Sequence, residues 1–93
     1  MLAVTPARAA TVVITQKDKT FSQSEITVAV GDSVEFQNID DTAHSVLSIT
    51  AGLEFDLKVQ KQGTAKAVVF DKPGRIEVGC DIHPKMHLII NVK

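Results

Sequence analysis

A thiol, an imidazole and a thioether fall within one short stretch near the end of the chain, Cys80-Asp81-Ile82-His83-Pro84-Lys85-Met86. Thiolate and thioether are soft donors that favour Cu(I), and imidazole serves either oxidation state of copper. Two histidines and one cysteine in a trigonal array, with a weak axial methionine, make a site suited to one-electron transfer. Such a site needs a second histidine. His44 is the best candidate, because it opens the run His44 to Ile49 directly after the polar turn Asn38-Ile39-Asp40-Asp41-Thr42-Ala43. The donor types therefore nominate one copper ion and the residues His44, Cys80, His83 and Met86. Zinc suits them less well, since its usual protein ligands are Cys, His and carboxylate.

These donors need elements to hold them. Apolar residues alternate with polar ones at Val12 and Ile14, at Ile26, Val28 and Val30, and at Val34 and Phe36, which is the period of strands. Strands are expected at Thr11–Lys17, Glu25–Val30, Ser33–Asn38, His44–Ile49, Phe55–Val59, Thr64–Phe70, Arg75–Cys80 and Leu88–Val92. About eight short strands at this spacing predict an all-β protein, a Greek-key sandwich or barrel. Gly31-Asp32 and Lys72-Pro73-Gly74 read as hairpin turns. Thr50 to Gly63 is the least determined stretch, a short strand or a single helical turn. If Ile76 and Val78 face the core, alternation turns Cys80 inward as well, at the end of its strand.

At 93 residues the chain has room for one domain, over residues 11–93. Residues 1–10 are small and apolar and end in Ala7-Arg8-Ala9, like the tail of a secretory signal, with a disordered leader as the plainer alternative; the signal reading predicts a periplasmic or otherwise exported protein. The stretch is too short to span a membrane, and no insertion is expected. A net charge of −1 without a basic stripe, and four Phe with no Tyr or Trp, argue against nucleic acid as a partner. A single cysteine excludes an internal disulfide, so any staple must come from packing or a metal. A monomer is expected.

The run from Phe21 through Val30-Gly31-Asp32 and Val34-Glu35-Phe36 to Asn38-Ile39-Asp40 and His44 resembles the N-terminal half of bacterial cupredoxins. Gly79 to Met86 is similar to the C-x-x-H-x-x-M loop of amicyanin and of plastocyanin-like proteins of methylamine utilisation. Phe70-Asp71-Lys72-Pro73-Gly74 matches their F-x-x-P-G turn. The resemblance spans nearly all of the chain after Thr11. It implies a type 1 copper site in which His44, Cys80 and His83 are the strong ligands and Met86 the axial one. It also implies a soluble one-electron carrier with a redox protein as donor and another as acceptor, exchanging electrons at an apolar patch around His83, Pro84 and Ala43. Lys85 would steer an acidic partner. Three positions depart from the pattern: Ser45 stands where relatives carry Asn, Gln23 replaces a Pro, and Leu88 replaces a Gly.

Each of these residues also has a plainer reading. A lone Cys is ordinarily a small core hydrophobe and a lone Met a core filler, but here they share a loop with His83. His87 alternates away from Met86 and reads as a surface residue, and nothing in the spacing of Glu54 or Asp56 aims a carboxylate at the metal. Cys80 with His83 as nucleophile and base lacks a following donor for an oxyanion, so no enzyme is expected. A copper carrier or sequestration protein without a redox partner is the alternative. A metal-free immunoglobulin-like binding module is the third reading.

Overall fold

Alternating burial along each strand sorts the side chains into an inner and an outer set, and two sheets close over the inner one. The computed structural model describes residues 9–83 and 85–93, so the leader assigned to residues 1–10 falls mostly outside the described residues, as does Pro84. The strands are β1 (Thr11–Lys17), β2 (Thr20–Phe21), β3 (Glu25–Val28), β4 (Ser33–Asn38), β5 (His44–Ser48), β6 (Phe55–Gln60), β7 (Ala65–Val69), β8 (Gly74–Gly79) and β9 (His87–Val92). One sheet has the order β2-β1-β4-β7 and the other β3-β9-β8-β5-β6. β1 runs parallel to β4 and β3 parallel to β9, and the remaining pairs are antiparallel. Ile14, Val34 and Phe36 from the first sheet meet Val46, Ile76 and Ile90 from the second, and all six are fully buried. Each such burial contributes about 1.5–3 kcal/mol. Phe36 packs edge to face against Phe21, with ring centroids 6.1 Å apart.

The two expected hairpins are not hairpins. β3 lies in the second sheet and β4 in the first, while β7 lies in the first and β8 in the second, so both turns carry the chain across the core. Turn residues mark where the chain reverses; which strands then pair is decided by where the apolar faces can be buried. The two crossings lie side by side: Gly31 N–H donates to Phe70 O (2.7 Å) and Phe70 N–H to Asp32 O (2.9 Å). Gly31 sits at φ 97°, which a side chain would strain. The uncertain stretch after Thr50 resolves into a turn followed by β6.

Asp32 staples this crossing, its carboxylate accepting from Ala10 N–H and Ala29 N–H at 2.9 Å each. Those donors, Ala10 first, hold the carboxyl below its ordinary value. A depressed folded-state pKa adds stability that is present above the unfolded value, about 3.9, and is lost as pH falls through the folded one. Asp32→Asn should therefore lower the melting temperature at neutral pH, with the gap to the parent narrowing as pH falls below the ordinary carboxylate value of about 3.9. Melts at both pH values check this, and a gap independent of pH would contradict it.

The register of β5 against β6 slips between Ser45 and Leu47, and across the slip Lys58 adopts φ 62°. The extra residue lies on β6, so β6 is the strand that bends, leading to the end where Gln60 stands opposite His44. Left-handed geometry costs an L-residue about 1–2 kcal/mol, partly offset on replacement by the extra chain entropy of glycine. Lys58→Gly is thus expected to raise stability by up to about 1 kcal/mol. An unchanged or lower denaturation midpoint would contradict this.

Candidate metal centre

Cys80 follows β8 directly, and the inward set Ile76, Val78 and Cys80 is buried as alternation requires. His44 is the first residue of β5 and is fully buried. Met86 N–H donates to His83 O (2.9 Å), closing a turn that brings His83 back over the strand ends. The ligand atoms of His44, Cys80 and His83 all lie within 4.8 Å of one another. Nδ1 of His44 and Nδ1 of His83 are 2.9 Å apart, with the rings inclined by 60° so that edges face each other. Met86 is 2% exposed and lines a cavity of about 180 Å³ together with Cys80.

The surroundings of each donor are specific. Ser45 N–H donates to Cys80 Sγ at 3.3 Å, and the Ser45 hydroxyl lies 3.7 Å from the same sulfur while accepting from Asp81 N–H at 2.8 Å. With its oxygen engaged by Asp81, that hydroxyl can turn its proton toward sulfur. Behind His44, Nε2 meets Asp40 Oδ2 at 2.8 Å. Asp40 also accepts from Lys19 N–H and Asp41 N–H, both at 2.9 Å. The Lys19 N–H first, and then His44, hold the Asp40 carboxyl well below the usual carboxylate range. Burial pushes the His83 pKa down, with neighbouring His44 and Lys19 adding to it.

Asn38, at the end of β4, organises the turn that carries Asp40. Its amide donates to Thr42 O (3.0 Å) and Gln60 O (2.8 Å) and its Oδ1 accepts from Asp40 N–H (2.9 Å). The turn between β1 and β2 reaches the site because Asp18 and Lys19 both take left-handed backbone, φ 53° and 59°.

Three of the four expected donors are therefore brought to one point, and Met86 is buried beside Cys80. His87 is exposed at the start of β9, while Leu88 is fully buried. Glu54 and Asp56 stand apart, bonded to Gly52 N–H and Lys58 N–H. His83 borders an apolar groove of about 390 Å³ with Ile82, Lys85 and the Asp18-Lys19 turn. Asp40 is the functional residue that sequence reasoning passed over. Its signal was present: an acidic side chain four residues before a candidate ligand, inside the quoted Asn-x-Asp turn.

A carboxylate-backed imidazole, a second imidazole aimed at it and a thiol with N–H and O–H donors on sulfur form a donor set that fits copper. A family model described as a cupredoxin-like domain matches residues 3–90. Among solved structures, a reduced amicyanin variant is 28% identical with a TM-score of 0.79, covering 88% of this chain and 81% of its own. A copper-containing nitrite reductase from Thermus scotoductus is 27% identical with a TM-score of 0.83, over 98% of this chain; the chain spans only 25% of that reductase. A purple cupredoxin from Nitrosopumilus maritimus, 20% identical, has a TM-score of 0.79 over 88% of this chain and 99% of its own, which shows a shared fold. No curated protein matches the chain.

Proposed function

The chain belongs to the cupredoxin-like domain family, and from that premise we propose that it is a soluble type 1 copper protein carrying single electrons between a donor and an acceptor protein. The observation that carries this reading is the convergence of His44, Cys80 and His83, whose ligand atoms lie within 4.8 Å of one another. Those residues would hold one copper ion, with Met86 as the weak axial donor. Copper bound there supplies a one-electron Cu(II)/Cu(I) couple.

The residues around it do the rest. The Ser45 N–H and hydroxyl partly neutralise charge on the Cys80 sulfur, which favours the reduced state. Asp40 and Asn38 hold His44 in place, and the strand ends fix Cys80, so the ligands need not rearrange between oxidation states. His83, half-buried beside the exposed Ile82, is the donor nearest a partner. Ser45→Ala keeps the N–H but removes the hydroxyl, and it is expected to lower the reduction potential. A potential unchanged in voltammetry would contradict that role for the hydroxyl.

We place the protein among carriers rather than enzymes, as a monomer acting outside the cytoplasm. Among the described residues no helix is long and apolar enough to cross a membrane. Film voltammetry of the copper-loaded protein tests the carrier reading. A reversible one-electron wave, with no rise in current on adding nitrite, is expected. Copper that leaves the protein on each reduction would instead favour a copper-handling role.

A further inference from the structure

We propose that Gln60 is a positioning residue of the metal centre: tied through the core to Gln16 and Phe36, it holds β6 one residue out of its apolar register and so fixes the strand end that carries His44. Only the identity of the ion that His44 meets rests on the copper reading above.

Two registers compete in β6. Phe55, Leu57 and Val59 alternate as an inward-facing set should. Continued without a break from the pairs Ser48–Phe55 and Leu47–Asp56, that alternation would set Val59 opposite His44, facing the core. The bulge sets Gln60 there instead. Val59 is consequently 56% exposed and Gln60 1%, the reverse of what their polarities favour. Lys58 takes left-handed backbone to permit the exchange. Strain and inverted polarity gathered at one spot point to a function that the spot serves.

The exchange gains hydrogen bonds that valine could not make. Gln60 Nε2 donates to Phe36 O (3.0 Å), and Gln16 Nε2 donates to Gln60 Oε1 (2.9 Å). The same register brings Gln60 O to the Asn38 amide, which donates to it at 2.8 Å and organises the turn before His44. All three partners belong to the first sheet and Gln60 to the second, so the tie spans the sandwich.

Its effect reaches His44 through the ladder. β8 pairs with β5 only at Leu47 and Ser48, so among the described residues the His44–Ser45 end of β5 is laddered to β6 alone. Whatever fixes β6 therefore fixes both His44 and the Ser45 N–H that donates to Cys80 Sγ.

Nuclear Overhauser spectra of the metal-free protein read the register without copper. Contacts between the His44 ring and the Gln60 side chain are expected, and contacts with the Val59 methyls in their place would overturn the proposal. The double variant Gln16→Leu/Gln60→Leu then removes both amides together, so neither is left buried without its partner, and its melting temperature should match or exceed the parent's. Its Cu(I) affinity, from chelator competition, should nonetheless fall about tenfold, the lower end of the range for groups behind a ligand. Adding Lys58→Gly, which favours the bulge by relieving its left-handed residue, should restore most of that affinity. A double variant with parental affinity, or a loss that Lys58→Gly leaves untouched, would overturn the positioning role. If the His44–Gln60 contacts are found but the parent protein gives no intense thiolate-to-copper band, the register stands while the copper reading, and the positioning role with it, fails.

Discussion

Cys80→Ser is expected to abolish the intense visible absorption of the Cu(II)-loaded protein, leaving the weak spectrum of ordinary Cu(II). A serine hydroxyl stays protonated and is a hard, poor donor, so the soft thiolate interaction has no substitute. The fold should survive the change. The replacement is nearly isosteric at a site 6% exposed, and Ser45 N–H, now 3.3 Å from sulfur, can bond the new oxygen. The structural cost is then about 1 kcal/mol or less, because no buried polar group is left unpaired. Absorption spectra beside a far-ultraviolet dichroism control measure both effects. An intense band surviving in the folded variant would remove Cys80 from the ligand set.

Asp40→Ala should weaken Cu(I) binding by roughly 10–100-fold, the range found when a partner behind a ligating histidine is lost. The alanine leaves His44 Nε2 without an acceptor in a fully buried position, and it frees Lys19 N–H and Asp41 N–H from their common anchor. His44 can then rotate or take the wrong tautomer. Competition with a Cu(I) chelator gives the affinity ratio. Unchanged affinity would mean that strand β5 alone aims the ring. Because Asn38 still binds Thr42 O and Gln60 O in the variant, the turn should keep its course.

Candidate donors could be nominated from residue types and spacing because coordination chemistry restricts which side chains serve a soft metal, and three of them do converge. The period of two in Arg75 to Cys80 put the thiol inward, as found, and His44 does open its strand. Sheet membership was not legible. Gly31-Asp32 and Lys72-Pro73-Gly74 carry turn residues whether the next strand pairs locally or crosses the core, and only the burial of facing side chains across the sandwich decides between them. β2 escaped notice because two residues cannot display a period. The Asp18-Lys19 turn escaped because neither residue is the glycine that left-handed backbone favours. The role of Asp40 needed the third dimension: its partners come from β1–β2, from its own turn and from β5 at once.

The carrier reading depends on a single type 1 copper site. Titration of the metal-free protein with Cu(II), followed by visible absorption and electron paramagnetic resonance, addresses it most directly. An intense thiolate-to-copper band that saturates at one equivalent and bleaches reversibly with reductant is the result the geometry predicts. A weak, ordinary Cu(II) spectrum, or binding that continues past one equivalent with no such band, would contradict it.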